Sequence, residues 1–204
     1  MKLYSLFHIF LLLFILLPGI SIATDKIVVL TEEAYPLQYS QQGQVLGPAT
    51  ELLRAVLAAA KIDYDIQVQP WARAYQGALT QKNTLIYSLA RTPEREVKFH
   101  WLGELLALDY YLFARADSKI NSLNNLAEYK DHRIGVVRNS ATFQYLQAQG
   151  FNHLYLVSYP SQSINMLLTD RVDMFPANSA SFYDYCQKVA LDCTNIKPVY
   201  KLDA

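Results

Sequence analysis

The sequence has few of the residues that build metal centres or disulfide-rich domains. It contains two cysteines, Cys186 and Cys193, and four histidines that are scattered along the chain. A metal site needs several ligands at short, regular spacings, and this pattern does not provide them. We therefore predict no metal and no cofactor. In an oxidising compartment a cysteine pair this close in sequence tends to close, so we predict a local disulfide.

The chain also lacks an excess of charge, since it has 18 basic and 18 acidic residues. Nucleic-acid-binding proteins usually carry a basic face, so we predict no nucleic-acid partner. Recognisable catalytic patterns are missing too. Ser163 and the serines of residues 179–181 lack a nucleophile-elbow motif, and no histidine stands beside a plausible nucleophile. We therefore predict that the protein is not an enzyme.

Long apolar runs are absent except for one at the N-terminus. Lys2 precedes an apolar run over residues 6–17, which Pro18-Gly19 ends, and small residues follow up to Ala23. This plan is typical of a secretory signal peptide. A membrane anchor is the alternative, but spanning a bilayer takes about 20 apolar residues. We therefore predict cleavage after Ala23 and a soluble, periplasmic product.

The rest of the chain alternates between strand and helix patterns. Short apolar or alternating runs predict strands, and apolar stripes at helical spacing predict helices, such as the one over residues 48–60. The first part reads β-α-β-α-β, and the alternation is repeated after a linker. This order predicts an α/β fold of two lobes. We place lobe one at residues 24–114 and lobe two at residues 115–204.

In open α/β sheets ligands bind beyond the carboxyl ends of the strands. One such strand end leads into Asn139-Ser140-Ala141-Thr142 at the predicted start of a helix. The first N–H groups of a helix lack internal partners and attract an anion, and two hydroxyls could add donors. Alternatively, Asn139 or Ser140 is only a helix cap. The residues alone leave both readings open.

Other strand ends offer weaker candidates. In Arg91-Thr92-Pro93-Glu94-Arg95-Glu96 a guanidinium could bind a carboxylate with two hydrogen bonds, but the sequence alone favours a solvated cluster in which the acids neutralise the arginines. Tyr35, in a loop, could stack on a solute or its cation. Asn178 could offer an amide or could be a turn or cap residue. Glu32 and Glu33 are adjacent, so on a strand they would point to opposite faces.

The order of these motifs resembles the bacterial extracellular solute-binding proteins of family 3, which are periplasmic receptors for polar amino acids. The resemblance covers nearly all of residues 26–200. It implies a two-lobed, type II periplasmic-binding-protein fold with mixed, mostly parallel sheets. The matching stretches are Tyr35-Pro36-Leu37, Pro70-Trp71-Ala72-Arg73-Ala74, Arg91-Thr92-Pro93-Glu94-Arg95, Arg133 to Val137 with Asn139-Ser140-Ala141-Thr142, and Leu167 to Asp173.

The resemblance implies roles for individual residues. Arg95 matches the arginine that pairs with a ligand α-carboxylate, and Ser140 and Thr142 match the helix start that holds the same group from the other lobe. Tyr35 lies next to the position of an aromatic ring that packs on the ligand. Asn178 falls where the family usually carries an aspartate for the ligand's ammonium group. The predicted ligand-binding set is completed by neighbours in these motifs, Arg73, Thr92 and Asn139.

Two departures from the family pattern shape the functional prediction. Asn178 lacks the charge of an aspartate, and Arg91 adds a second cation, so we expect an anionic or amide-bearing solute. The chain stops at Ala204, roughly where family members return to lobe one, which would leave lobe one incomplete. We predict a monomer that passes its solute to an ABC-type membrane importer. The alternatives are a sensory module and, third, a dehydratase or lyase on the same fold.

Overall fold

The computed structural model describes residues 26–203, so the predicted signal peptide, residues 1–23, lies outside the described part of the chain. Strands and helices alternate along the chain in an α/β fold. The strands are β1 (Ile27–Thr31), β2 (Tyr39–Gln41), β3 (Gln44–Leu46), β4 (Tyr64–Val68), β5 (Thr84–Ile86), β6 (Tyr110–Arg115), β7 (Ile134–Val137), β8 (Leu154–Val157), β9 (Met174–Asn178) and β10 (Ile196–Leu202). The helices are α1 (Pro48–Ala59), α2 (Trp71–Thr80), α3 (Pro93–Glu96), α4 (Ala141–Ala148), α5 (Pro160–Leu168) and α6 (Ser179–Lys188), with a 3-10 helix at Leu126–Tyr129.

The first sheet is three-stranded and parallel, in the order β4-β1-β5. Its central strand buries Val29, and α1 packs Leu53 and Leu57 into the same core. Helix α1 begins at Pro48, whose fixed φ suits a first helical position. Gly47 precedes it with a φ of 111°, and a Cβ at this position would collide with a backbone carbonyl. Glycine therefore sets the point where the β2-β3 hairpin turns into α1.

The second sheet has five strands in the order β10-β6-β9-β7-β8. Strand β6 runs antiparallel to both β9 and β10, whereas β7 is parallel to β8 and β9. Successive side chains of a strand point to opposite faces, so β6 places Leu112 in one core and Phe113 in another. Tyr129 and Leu146 share the core of Leu112, and Phe175 stacks on Phe113 at a ring distance of 5.7 Å.

The predicted disulfide is confirmed. Cys186 and Cys193 are bonded, with a Cα–Cα distance of 6.1 Å, and both residues are buried in the core of Phe113. The bond ties α6 to the segment that leads into β10. Among residues 26–203 no helix is both long and apolar enough to cross a bilayer.

Several element boundaries differ from the sequence-based prediction. The sequence pattern predicts a strand over residues 84–90, but the strand ends at Ile86, and Ser88 has a left-handed φ of 58° that interrupts an extended strand. The pattern over residues 105–114 predicts a strand or a crossover, and the strand found there begins at Tyr110. The segment predicted to be irregular after residue 90 contains the short helix α3.

The crossing between the two sheets lies in the segment between β5 and β6. Strand β6 pairs with β9 and β10, so the chain joins the second sheet at Tyr110. This point precedes the predicted lobe boundary between residues 114 and 115 by a few residues. The division into lobes at that boundary stays a prediction.

Candidate ligand-binding site

The carboxyl ends of the first sheet lead into the segments that bear the candidate residues. At this edge Gln69 N donates to Thr31 O at 2.9 Å, and Tyr87 N donates to Leu30 O at 3.2 Å. The chain after β4 continues directly into Trp71, the first residue of α2. Because the ends of parallel strands meet at one edge, these segments come together there, as the rule for α/β ligand sites requires.

Arg95 is the most buried charged group at this edge, with no side-chain surface exposed to solvent. Its guanidinium carbon lies 5.5 Å from the ring centroid of Trp71 and 5.0 Å from that of Tyr75, in cation-π contact. Trp71 and Tyr75 are one helical turn apart on α2, so they form a continuous aromatic floor. Burial lowers the pKa of Arg95, against the opposing effect of Tyr75 and other neighbours.

The side chain of Arg95 contacts the start of α4 in the second half of the molecule directly. Its Nη2 donates to Asn139 O at 3.1 Å, and its Nε donates to Gln144 Oε1 at 3.1 Å. The Nε1 of Trp71 also donates to Asn139 O, at 2.8 Å. Asn139 has a left-handed φ of 60°, a conformation that asparagine tolerates. We call this meeting place of Arg95 and Trp71 with Asn139 and Gln144 the cleft.

The start of α4 shows the helix cap that the sequence offered as one of two readings, and anion binding stays a prediction. Ser140 is the N-cap, since its Oγ accepts from Phe143 N at 3.1 Å, and it also lies 3.0 Å from Thr142 Oγ1. The first N–H groups of a helix have no partners within it. No hydrogen bond joins the N–H of Ala141 or Thr142 to another residue of the described chain. Capping by Ser140 therefore leaves two backbone donors for a ligand.

Glu32 also stands at this edge, as the residue directly after β1. Its side chain is half-buried, and burial raises its pKa to about 8, while the charge of Arg95 acts in the opposite direction. Burial, followed by the charge of Glu32, raises the pKa of Tyr110 to about 12. Glu32, Arg95 and Tyr110 therefore form one electrostatic cluster, although they come from three different segments.

Asn178, at the end of β9, lies opposite Tyr110 in the strand register and is 8% exposed. Its Oδ1 accepts from Ser181 N at 3.0 Å, which caps α6, and its Nδ2 donates to Asp109 O at 3.0 Å. Both ends of the amide are therefore engaged within the fold.

Two further predicted residues, Tyr35 and Arg73, form no hydrogen bond with the four residues of the cleft. The ring of Tyr35 is 4.1 Å from Lys188 Nζ, which also lies 4.4 Å from the Tyr39 ring. Tyr35 thus contacts a cation of the protein itself, at the C-terminal end of α6. Arg73 is two residues after Trp71 on α2, and side chains at this spacing do not share a helix face.

Arg91 and Thr92 directly precede the short helix α3. Thr92 is its N-cap, and its carbonyl accepts from Arg95 N and Glu96 N, each at 3.0 Å, so it positions the arginine through the backbone. Arg91 forms two hydrogen bonds with Glu96, at 2.8 and 2.6 Å. The charge of Arg91 is therefore balanced locally, which removes one of the two grounds for expecting an acidic solute.

An aromatic row extends the floor of the cleft. Tyr75 lies 5.7 Å from the ring of Phe99, which lies 6.0 Å from that of Trp101. Arg91 sits over Trp101 at 5.3 Å. The Nε1 of Trp101 is buried and has no hydrogen-bond partner among the described residues.

A surface cavity of about 230 Å³ lies elsewhere, beside the second sheet. Its lining includes Arg115, Asp117, Asp170 and Asp173. Arg115 forms ion pairs with Asp117 at 2.7 Å and Asp170 at 3.0 Å, and Asp173 pairs with Arg133 at 2.7 Å. Because these charges compensate one another, the cavity offers a weaker site than the cleft for a charged solute.

Sequence reasoning missed several residues of the cleft. Glu32 was considered only for its adjacency to Glu33, and Gln144 was not singled out within its helix. The helical spacing of Trp71 and Tyr75 predicts core aromatics, and both are buried, but they also make cation-π contacts with Arg95. Two aromatic residues at helical spacing, close in sequence to the arginine motif, are the signal that could have revealed this contact.

Comparisons with known proteins agree with this architecture. The family model for "Bacterial extracellular solute-binding proteins, family 3" matches residues 27–193. No curated protein sequence matches the chain. Among solved structures, a histidine kinase sensor domain with similarity to periplasmic binding proteins has a TM-score of 0.78 at 19% identity, covering 88% of this chain and 78% of that one.

Two solved amino-acid-binding proteins show the same fold. The arginine-, lysine-, histidine-binding protein ArtJ from Geobacillus stearothermophilus has a TM-score of 0.69 at 21% identity, covering 86% of this chain and 79% of that one. An arginine transport-system periplasmic binding protein from Legionella pneumophila has a TM-score of 0.71 at 12% identity, covering 88% and 82%. At these identities the likeness shows the periplasmic-binding-protein fold alone.

Proposed function

Because the chain belongs to the bacterial extracellular solute-binding proteins, family 3, we propose that it captures a small polar solute with an anionic group in the cleft. The solute is an amino acid or a related compound. The protein acts in the periplasm and delivers the solute to an ABC-type importer. It binds and releases the solute without chemical change.

The observation that carries this proposal is the burial of Arg95 opposite the start of α4. In the present arrangement the guanidinium donates to two neutral acceptors of the second half, Asn139 O and Gln144 Oε1. A carboxylate is a stronger acceptor for a guanidinium than either, because it adds the attraction of the opposite charge and can accept two parallel hydrogen bonds. A ligand carboxylate can therefore replace these two contacts and bind Arg95 with both oxygens.

The start of α4 offers further donors to the same ligand carboxylate. The N–H groups of Ala141 and Thr142 are free of partners within the described chain, and the positive end of the helix dipole favours an anion. A carboxylate held by Arg95 from one side would be held by these N–H groups from the other. One anionic group would then join the two halves of the molecule.

Solute entry requires the halves to separate and close again, which is the hinge motion typical of such proteins. The contacts that would break on opening are specific and few. They include the hydrogen bond from Trp71 to Asn139 O and the cation-π contacts of Lys188 with Tyr35 and Tyr39. The polypeptide between β5 and β6 links the two sheets and is the segment in which the backbone would bend.

A sensory role is the second candidate. The fold match to a histidine kinase sensor domain favours it, since such a domain reports a bound solute instead of passing it to an importer. The two roles share the cleft and differ in the partner. Isolation of the exported protein with its membrane partner distinguishes them: an importer permease supports transport, and a receptor kinase supports sensing.

The test of the binding function is a melting series on the purified exported protein. The probes are the twenty L-amino acids and a set of small mono- and dicarboxylic acids. A probe present at a hundred times its dissociation constant stabilises the folded state by about 2.7 kcal/mol, which raises the melting temperature by several degrees. We expect such a shift from a subset of carboxylate-bearing probes. An unchanged melting temperature with every probe would contradict the proposed function.

A further inference from the structure

Lys188, in the last turn of α6, contacts two aromatic rings of the opposite half of the molecule. Its Nζ lies 4.1 Å from the ring centroid of Tyr35 and 4.4 Å from that of Tyr39. Both distances are well within the range of a cation-π contact, which extends to about 6 Å. The two rings are 5.0 Å apart at an angle of 62°, so they form a corner that the ammonium group contacts from both sides. A single cation of the second half is thus held by two rings of the first half.

The sequence of α6 offers Lys188 a different partner. Asp184 lies four residues before Lys188 on the same helix, a spacing at which opposite charges stabilise a helix by pairing. No ion pair joins Lys188 to an acid of residues 26–203, whereas Lys201 binds Asp109 at 2.9 Å. Within the described chain the ammonium group of Lys188 is therefore directed to the rings instead of to a carboxylate.

Tyr35 and Tyr39 lie on a turn that the first half of the molecule fixes with hydrogen bonds. Ala34 N donates to Gln38 O at 2.8 Å. The side chain of Gln38 is buried and accepts from Ser88 Oγ at 3.0 Å. Because the backbone between the two rings is already ordered, a cation that docks on them costs little conformational entropy on this side.

The end of α6 that bears Lys188 is fixed as well. Cys186, two residues before Lys188, is bonded to Cys193, and its carbonyl accepts from Leu191 N at 2.9 Å. Asn178 caps the other end of the helix. Each partner of the contact is therefore anchored in its own half, and the contact forms only when the two halves approach each other.

The contact of Lys188 with the two tyrosines is separate from the cleft. The hydrogen bonds of Arg95 to Asn139 O and Gln144 Oε1 are the ones that a ligand carboxylate would replace in the proposed function. Lys188 uses neither the guanidinium nor these acceptors. It can therefore hold the halves together while the contacts inside the cleft are exchanged.

We propose that Lys188 and the Tyr35–Tyr39 pair form a latch that favours the closed arrangement of the two halves from outside the cleft. In this latch Tyr35, whose ring the sequence offers to a solute or its cation, binds a cation of the protein itself. An exposed cation-π contact shifts an equilibrium by about two- to fivefold, and two rings share this ammonium group. We therefore expect the latch to raise the ratio of closed to open molecules by about fivefold.

The test is small-angle X-ray scattering of the exhaustively dialysed protein without added solute, because separation of the halves raises the radius of gyration. Lys188→Met keeps the length of the side chain and removes its charge, and Tyr39→Leu removes one of the rings. We expect a larger radius of gyration in both variants than in the parent. Combining the two substitutions should open the molecule no further than the larger single effect, since both remove the same contact.

Two matched variants serve as controls. Tyr39→Phe keeps the ring and should scatter like the parent. Lys119→Met removes the charge of an exposed lysine that forms no ion pair and no cation-π contact with the rest of the described chain. It should also scatter like the parent. Circular dichroism shows whether each variant is folded, and the exposure of Lys188 makes Lys188→Met the variant least expected to disturb the core.

Equal radii of gyration in the parent, Lys188→Met and Tyr39→Leu would overturn the latch. An equal rise in Lys119→Met would overturn it too, because the effect would then follow from net charge instead of from the contact. No ligand enters the scattering experiment. Its failure therefore leaves the proposed binding function intact, and a failure of every solute to bind leaves the latch intact.

Discussion

The two sides of the cleft differ in how they use their polar groups. On the first sheet's side, Arg95 is fully buried and turned towards the opposite half, and Glu32 has no partner within the described chain. On the second sheet's side, Ser140 and Asn178 cap helices with their own side chains. The charged side chains of the candidate site therefore lie on one side. The other side contributes backbone N–H groups and a fixed shape.

This difference predicts that substitutions on the first side change binding, whereas substitutions on the second side change stability. The largest effect is expected for Arg95→Ala. Loss of a buried, charge-assisted contact typically costs about 2–5 kcal/mol of binding free energy, which calorimetry would measure as a large loss of affinity. Because Arg95 also bonds within the protein, circular dichroism must show that the variant is folded.

Arg91→Ala is the matched control for Arg95→Ala, since Arg91 also lies over an aromatic ring but is exposed and paired with Glu96. An exposed ion pair contributes about 0–1 kcal/mol to stability, so this variant should bind solute like the parent. Equal affinities in the parent and in Arg95→Ala would remove the guanidinium from the site.

The next largest effect is expected in the second half, on stability alone. Opening the disulfide with Cys186→Ser and Cys193→Ser releases a short loop, whose closure contributes about 2–3 kcal/mol by the chain-entropy estimate. Thermal unfolding should show the loss, and the affinity for solute should stay within twofold of the parent's. A large loss of affinity at temperatures where the variant is folded would show that α6 shapes the cleft more directly.

The smallest effect is expected at Asn178. Asn178→Ala removes the cap of α6 and a hydrogen bond to Asp109 O, which costs about 1–2 kcal/mol of stability. Asn178→Asp keeps the capping oxygen but loses the donor to Asp109 O, so it separates the contribution of the cap from that of the second hydrogen bond. Affinity should be unchanged in the alanine variant. A loss of affinity without a loss of stability would return Asn178 to the ligand site and break the comparison between the two sides.

Much of the fold could be predicted from sequence because its signals are local. The stripe that contains Leu53 and Leu57 predicts α1, and it is the face that α1 buries. Gly150 follows α4 with a φ of 81°, as its place after a helical pattern predicts. The spacing of the cysteines was sufficient for the disulfide.

The candidate site could be predicted only where a motif carried it. Arg95 and the Asn139–Thr142 turn stand out through their resemblance to the family, and the structure brings them together. The charge of Glu32 raises the pKa of Tyr110, which lies far along the chain, and no local pattern reports this coupling. The stacking of Lys188 on Tyr35 is likewise a contact between the two halves. Such burial and pairing arise from tertiary packing, which neighbouring residues do not encode.

The central claim is that one ligand carboxylate binds Arg95 and the start of α4 at the same time. Its most direct test follows both groups in one experiment. Nuclear magnetic resonance can monitor the Nε–H of Arg95 together with the backbone N–H groups of Ala141 and Thr142 while a binding amino acid is added. We expect all three signals to shift along a single binding curve, since one carboxylate is held from both sides. A solute that binds while the Arg95 signal or the α4 signals stay in place would contradict the account.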